Sequence, residues 1–443
     1  MSPGGAIPTR GAALAAWVRD ARERSLELVS DLSDEELVGP RLAIVNPLLW
    51  EIGHVAWFQE RWVLRHALGA PPLRADADAL WDSIAIAHDA RWDLALPPRE
   101  ETFAYVRAVR DRVLERLDAG DPDAKLRYFV LLTVFHEDMH TEAFTYTRQT
   151  LGYAAPQLAI ASDDPGAVGE VGAGAADLGD ARVPGGRFVL GAAPDEPFVF
   201  DNEKWAHEME VAPFAIARAA VTQTEFARFV EAGGYARREW WSDAGWRWRE
   251  QEGAELPLHW RRAGGGFERR RFDAWLPLEA DLPMLHVSWF EAEAYWRFAG
   301  RRLPTELEWE VAAAGEPGGD GARLAPRKRR LPWGEGPPDA SRAQLDWRGG
   351  GPAGVHAYAA GESAFGCRQL IGNVWEWTSS DFGPYPGFAA DPYREYSEPW
   401  FRGHKVLRGG CWATRGRLLR NTWRNFYEPH RRDVWSGFRT CAP

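Results

Sequence analysis

Two histidines separated by three residues, His136 and His140, lie in the run LRYFVLLTVFHEDMHTEAFTYTRQTL, residues 126–151. Phe129, Leu132, Thr133, His136, His140, Ala143 and Phe144 recur there at three- and four-residue spacing. The run therefore reads as one helix with both imidazoles on its inward, apolar face. Side chains at i and i+4 of a helix have Cβ atoms about 6 Å apart, so two imidazoles can converge on one cation. A third histidine, His54, sits in NPLLWEIGHVAWFQE on a face shared with Trp50, Trp57, Phe58 and Trp62, and points into the same core. Neutral imidazoles suit iron, copper, nickel and zinc alike, so the ligands alone do not name the metal. Glu137 completes a His-Glu-x-x-His string, in which a zinc peptidase uses the glutamate as general base. The third ligand would lie upstream here and no peptidase signature follows downstream, so Glu137 and Asp138 are expected to be solvated or to orient a ligand imidazole.

The elements that must position these side chains follow from periodicity and caps. Asp121 is expected to cap the His136 helix, with Pro122 in its first turn and Gly152 just beyond its end. Residues 11–30 form an amphipathic helix. Ser33-Asp-Glu-Glu36 opens a short second one through a capping box. The His54 helix runs from Asn46-Pro47 to Gly69. Residues 79–98, with His88, Arg91 and Trp92, are irregular, and 99–118 are helical again. Residues 1–155 thus read as a four- or five-helix up-down bundle. Residues 156–180 are Gly- and Ala-rich without periodicity and read as a linker. Residues 181–443 alternate short apolar runs with turn residues. Helices are expected there at Thr222–Ala232, Ser288–Ala299 and Thr305–Ala314, the last with Glu308 in a capping box. So loop-rich a domain must be held by side-chain hydrogen bonds and buried tryptophan.

A chain of 443 residues exceeds one ordinary core, and 45% hydrophobic with 26% charged content describes a globular protein of two or three domains. The net charge of −11 argues against nucleic acid or an anionic membrane as partner. No apolar run approaches the ~20 residues that span a bilayer, and the N-terminus turns charged too soon for a signal peptide. Cys367, Cys411 and Cys441 form no disulfide framework or Cys-x-x-Cys site, so a reducing cytoplasm is expected. The 24 tryptophans point to rigid loops and a binding cleft as well as core.

The segments GGRFVLG, FDNE, VTQTEFARF, VSWFEAEAYWRFAGRRLPTELEWEVAA, GNVWEWT, VLRGGCW and SGFR resemble the formylglycine-generating-enzyme/sulfatase-modifying fold, a variant of the C-type-lectin fold. The N-terminal half resembles a DinB-type bundle. The two fused in this order, with WEIGHVAWFQE and HEDMH, resemble the ergothioneine sulfoxide synthase (EgtB-type) superfamily. Within it, ALWDSIAIAHDARW, HEDMHTEA and RNFYEPHRRDVWSGFRTCA look most like the selenoneine synthase branch. The resemblance implies an α+β multidomain protein: a DinB-like four-helix bundle, then a loop-rich lectin-like domain that acts as a lid.

It further implies that His54, His136 and His140 form a facial site for non-haem Fe(II), with O2 as co-substrate and hercynine as acceptor. The family's catalytic tyrosine matches Tyr393 in DPYREYSEPWF, with Tyr396 second. A phenol there can give a proton or an electron during O2 chemistry. The family's substrate-binding run reads Asn425-Phe426-Tyr427-Glu428-Pro429-His430-Arg431-Arg432 here. Asn425 and Arg431 match it, but Tyr427 stands where the EgtB type has an acidic residue suited to the amine of γ-glutamylcysteine. An aromatic hydroxyl surface suits a sugar ring, which favours a 1-selenosugar donor over a thiol. Met139 replaces a glutamine beside the last histidine, exchanging a polar contact for a soft thioether. Phe426, Trp423 and Trp412 are candidates for cation–π contact with hercynine's trimethylammonium. Asn373, Glu376 and Arg408, in GNVWEW and LRGG, are read as structural, and Cys411 as a small buried residue. Three other readings stand beside this one: a thiol-using sulfoxide synthase, a DinB-type thiol transferase or zinc hydrolase, and a sugar-binding protein without catalysis. The oligomeric state is left between monomer and dimer.

Overall fold

The computed structural model describes residues 7–159 and 178–443. They fall into two compact units, divided between Leu158 and Ala159. The expected linker lies largely on residues 160–177, outside the described residues. Among the described residues no helix is long and apolar enough to cross a membrane.

The first unit is helical: α1 (Gly11–Glu27), α2 (Asp34–Val38), α3 (Leu48–Gln59), α4 (Ala77–Trp81), α5 (Arg99–Asp118) and α6 (Ala124–Leu151). Four of these are long, and α3 continues as a π-helical turn through Glu60–Ala67. The capping box at Ser33 forms as read. The cap of α6 is Asp123, not Asp121: its carboxylate accepts from the Leu126 amide at 2.8 Å. Asp121 instead accepts from the Gly11 amide at 2.8 Å, which ties the start of α1 to the α5–α6 turn. Gly152 ends α6 in the left-handed conformation, φ 72°, which glycine adopts without penalty. Nearly the whole girdle of α6 between Phe129 and Asp138 is buried, a wider face than the single stripe in the sequence.

The second unit carries β1 (Asp180–Val183), β2 (Gly186–Leu190), β3 (His207–Val211), β4 (Phe214–Ala217), α7 (Gln223–Glu231), α8 (Asp243–Gln251), β5 (Trp260–Ala263), β6 (Gly266–Arg271), β7 (Ala274–Pro277), α9 (Trp289–Phe298), α10 (Glu306–Ala314), β8 (Trp375–Asp381), β9 (Lys405–Arg408), β10 (Arg424–Tyr427) and β11 (Ser436–Gly437). The helices α7, α9 and α10 start at Thr222, Ser288 and Thr305, each with a complete capping box. Helix α8 is not among the expected helices; it is too short and too rich in Trp and Arg to show a period. The largest sheet has the order β10-β9-β8-β11, antiparallel except for β11 against β8; β1 pairs with β4, β2 with β3, and β5-β6-β7 form a meander.

Buried ion pairs replace long ladders in this unit. Glu376 of β8 accepts from Trp309 at 2.7 Å and from both sides of the Arg439 guanidinium at 2.7 Å. Arg408 of β9 reaches Glu306 at 2.6 Å and Glu310 at 2.5 Å on α10. Asn373 exchanges hydrogen bonds with the backbone of Ala353, at 2.8 and 3.0 Å. All these side chains are buried, so the GNVWEW and LRGG residues hold the core together. Cys411 is fully buried there too.

Candidate metal centre

α3 and α6 cross so that His54, His136 and His140 meet. One ring nitrogen from each lies within 4.8 Å of the others. Ring centroids are 5.2 Å apart for His54–His136, 5.1 Å for His54–His140 and 4.5 Å for His136–His140. The three are the one such cluster of potential ligands among the described residues.

Each ring is held differently. His54 Nδ1 lies 2.8 Å from the carbonyl oxygen of Trp81. A carbonyl only accepts, so Nδ1 carries the proton and Nε2 keeps its lone pair for a cation. His140 Nδ1 lies 3.1 Å from Glu51 Oε1, and the same logic leaves its Nε2 free to ligate. His136 stacks on Phe58, centroids 3.7 Å apart and planes 9° from parallel. Burial holds both His54 and His136 well below the usual imidazole range, and the neighbouring His140 pushes each further down. They are neutral at neutral pH, the form that binds metal. This donor set fits a divalent first-row ion: three imidazole nitrogens, with Nδ1 of His54 and of His140 each turned to an oxygen acceptor.

Helix α4 does the positioning for His54. Trp50 donates to the Leu80 carbonyl at 2.7 Å, His54 to that of Trp81, and Trp57 to Asp78 Oδ1 at 2.7 Å. Three residues on one face of α3 thus grip the four residues Asp78 to Trp81. Arg65 closes the clamp on Asp78 at 2.6 and 2.8 Å and, with Trp57, holds that carboxyl down to about 2. Gly53 makes the approach possible: a Cβ there would stand 2.2 Å from Trp81 Nε1.

Glu137 corrects the expectation of a solvated or imidazole-orienting residue. It is buried on the α1 side of α6. Arg22 donates to it at 2.7 and 3.1 Å and Ser25 at 2.8 Å, while Arg22 also reaches the Val106 carbonyl at 2.7 Å and Gln59 at 3.2 Å. One residue along a helix is a turn of about 100°, which takes Glu137 away from the face of its neighbour His136. Asp138 is buried as well. The peptidase reading of His-Glu-x-x-His fails here, since its base is committed to a guanidinium. Met139 is half-buried next to His140.

In the second unit, Tyr393 and Tyr396 lie 6.3 Å apart on the 391–401 loop. Tyr396 stacks on Phe200 at 4.5 Å, and burial raises its phenol well above the usual range. Phe426 stacks on Phe382 at 3.9 Å and meets the Tyr396 ring edge-on at 6.2 Å. Asn425 accepts from the Phe426 amide at 2.8 Å. Arg431 is paired with the buried Asp433 at 2.7 and 2.6 Å and lies 5.3 Å from the Tyr427 ring centre. These residues gather around β10 and the tyrosine loop. Trp412 and Trp423 are 1% and 3% exposed, packed edge-on against Trp435 and Trp375 in the core.

Two family models match the chain, the DinB superfamily over residues 18–144 and the Sulfatase-modifying factor enzyme 1-like domain over residues 178–442. The hercynine oxygenase of Mycolicibacterium smegmatis is 39% identical over 95% of this chain and 96% of its own length. That of Mycobacterium tuberculosis is 40% identical over 96% and 97%. The chain belongs to the hercynine oxygenase family. It is therefore an enzyme, built as an N-terminal DinB domain and a loop-rich α+β domain. The formylglycine-generating enzyme of Streptomyces coelicolor is 31% identical over 58% of this chain and 86% of its own length.

In this hercynine oxygenase family member, sequence reading found the three histidines but missed their supports. Glu51 stands one turn before His54 on α3, a spacing that could have marked it. The role of Trp81 rests on its backbone carbonyl, which no side-chain pattern reports.

Proposed function

We propose that this enzyme is a non-haem iron, O2-dependent oxygenase of hercynine that forms a carbon–chalcogen bond on the hercynine imidazole. The observation that carries the reading is a three-histidine cluster, with no carboxylate in it among the described residues, in a chain similar over nearly its whole length to hercynine oxygenases. His54, His136 and His140 would hold Fe(II), which when bound supplies O2 activation. Glu51 and the Trp81 carbonyl fix which nitrogens face the ion. Tyr393 is assigned as the phenol that delivers a proton to the reacting centre. Asn425, Phe426, Tyr427 and Arg431, with Met139 from the bundle, are assigned to the substrates.

The similarity over nearly the whole chain supports a sulfoxide synthase that uses a thiol such as γ-glutamylcysteine or cysteine. One local observation favours a 1-selenosugar giving selenoneine through a selenoxide. Tyr427 offers a hydroxyl rather than an acid, and the Arg431 guanidinium that would meet a donor carboxylate is already paired with Asp433. The test is O2 uptake with hercynine and a donor panel of γ-glutamylcysteine, cysteine and 1-selenoglucose, with iron content measured alongside. The expected result is hercynine-dependent uptake that is lost, together with iron, in His54→Ala. Iron retained in that variant would remove His54 from the ligand set, and uptake indifferent to hercynine would overturn the reading.

A further inference from the structure

The FDNE motif, Phe200 to Glu203, has no place in the metal centre, yet all of its side chains are buried. Its own footing is firm. Glu203 is ion-paired with Arg420 and accepts from Thr422 at 2.7 Å, and the Asn202 carbonyl accepts from Arg424 at 2.7 Å. What remains of the motif, together with the next residue Lys204, faces the tyrosine loop and holds it at both ends. At the near end, Lys204 donates to both oxygens of Asp391 at 2.6 and 2.7 Å, and the Asp391 amide lies 3.4 Å from Asp201 Oδ2. At the far end, the Ser397 hydroxyl donates to Asp201 Oδ1 at 2.5 Å and accepts from Asn202 Nδ2 at 3.1 Å. Between the two ends, Phe200 stacks on Tyr396. Tyr393 lies inside this closed segment, half-buried, two residues after the first clamp and four before the second.

We infer that Asp201, Asn202 and Lys204 are positioning residues that fix the loop 391–397 and so the place of the Tyr393 phenol. The inference rests on the reading of Tyr393 as a proton donor. The physical case is entropic. A seven-residue loop pinned only at its flanks would sample many conformers, and each clamp removes that freedom before substrate arrives. The groups used are buried or nearly so: Asp201 and Ser397 are 2% and 0% exposed, where an unmade hydrogen bond is costly, so the clamp has one favourable arrangement.

The experiment is a double-mutant cycle on the iron-loaded enzyme, using Lys204→Met and Tyr393→Phe. Product formed per O2 consumed is measured together with amide hydrogen exchange across 391–401. Lys204→Met is expected to speed exchange in the loop and to lower the product-to-O2 ratio on the order of tenfold. Lys204→Arg should restore both. In the Tyr393→Phe background, Lys204→Met should change the ratio no further. An equal loss in both backgrounds would overturn the inference and leave the clamp a stability element only. Unchanged loop exchange in Lys204→Met would overturn it as well. A Tyr393→Phe enzyme with an unaltered ratio would instead refute the assignment of Tyr393. Should Lys204→Met not fold, Ser397→Ala opens the other clamp and is read in the same cycle.

Discussion

Glu137→Ala separates the fold's use of the His-Glu-x-x-His string from its chemistry. In the native bundle Arg22 and Glu137 are 0% and 1% exposed. Truncating Glu137 removes both acceptors of the Arg22 Nε and Nη2 bonds, apart from Gln59 at 3.2 Å, and strips the Ser25 hydroxyl of its carboxylate. A buried charge left without its partner costs about 3–5 kcal/mol. In a unit of this size each kcal/mol shifts the melting temperature by roughly 2–4 °C, so a fall of about 6–20 °C is expected. Glu137→Gln keeps one acceptor and should fall between the two. Neither variant touches a ring nitrogen of the histidines. At a temperature where they are folded, both should bind iron with the native stoichiometry and keep most of the hercynine-dependent O2 uptake. Calorimetry and metal titration on the same samples decide the matter. A variant that melts as the wild type does but has lost turnover would mean that Glu137 acts in the chemistry, and the argument from burial would be refuted.

Gly53→Ala should drive α4 off α3, because the new methyl would meet the Trp81 indole at 2.2 Å and that ring is wholly buried. Overpacking of this kind costs about 1–3 kcal/mol. With the Trp81 carbonyl displaced from His54, iron affinity is expected to drop at least tenfold; unchanged affinity in a competition titration would show that α4 does not position the ligand. Glu51→Gln retains an acceptor for His140 Nδ1 without the charge, and should weaken metal binding by about 10-fold, against up to about 100-fold for Glu51→Ala. Equal affinities across the three proteins would remove Glu51 from the site. Burial, with Asp391 nearby, raises the Asp201 carboxyl to about 6. The folded state then holds a proton that the unfolded chain has released, so this group's contribution falls as pH rises from about 4 to about 6 and stays low above that. Asp201→Asn should abolish that slope, which amounts to about 3 kcal/mol at most. Parallel stability–pH curves for the two proteins would contradict it.

Caps and apolar periods carried most of the helical fold, since both are local. Ser33, Thr222, Ser288 and Thr305 each announce a helix through residues three apart, and each capping box forms. Asp121 against Asp123 shows the limit: two acids two residues apart are equal candidates until α1 supplies the Gly11 amide that claims one of them. Charge on a helix surface is legible only if the partner is. Glu137 reads as solvated from α6 alone, and becomes a core residue because Arg22 comes from 115 residues away. Helix α8 and the short strands lacked length for any period to emerge, and their order in space comes from buried pairs such as Glu376–Arg439. The roles proposed for Tyr393 and the 425–431 run come from family resemblance rather than from spacing.

The centre's charge balance ties these pieces together. Imidazole ligands carry no negative charge, so they would leave the charge of a divalent cation undiminished, and a buried site tolerates that poorly. Glu51, at 3.1 Å from His140, offers a carboxyl group one residue removed from direct ligation. A carboxylate placed there polarises an imidazole without occupying a coordination position, so the three histidines leave as many positions open as a site with two histidines and a carboxylate. Under the proposed function, an anionic chalcogen donor, thiolate or selenolate, is the kind of group that would balance a cation held there. Since both donor classes ionise to the same charge, this centre does not choose between sulfur and selenium. Under the proposed function the choice would fall to the groups that meet the rest of the donor molecule, a role proposed for Tyr427 and the Arg431–Asp433 pair.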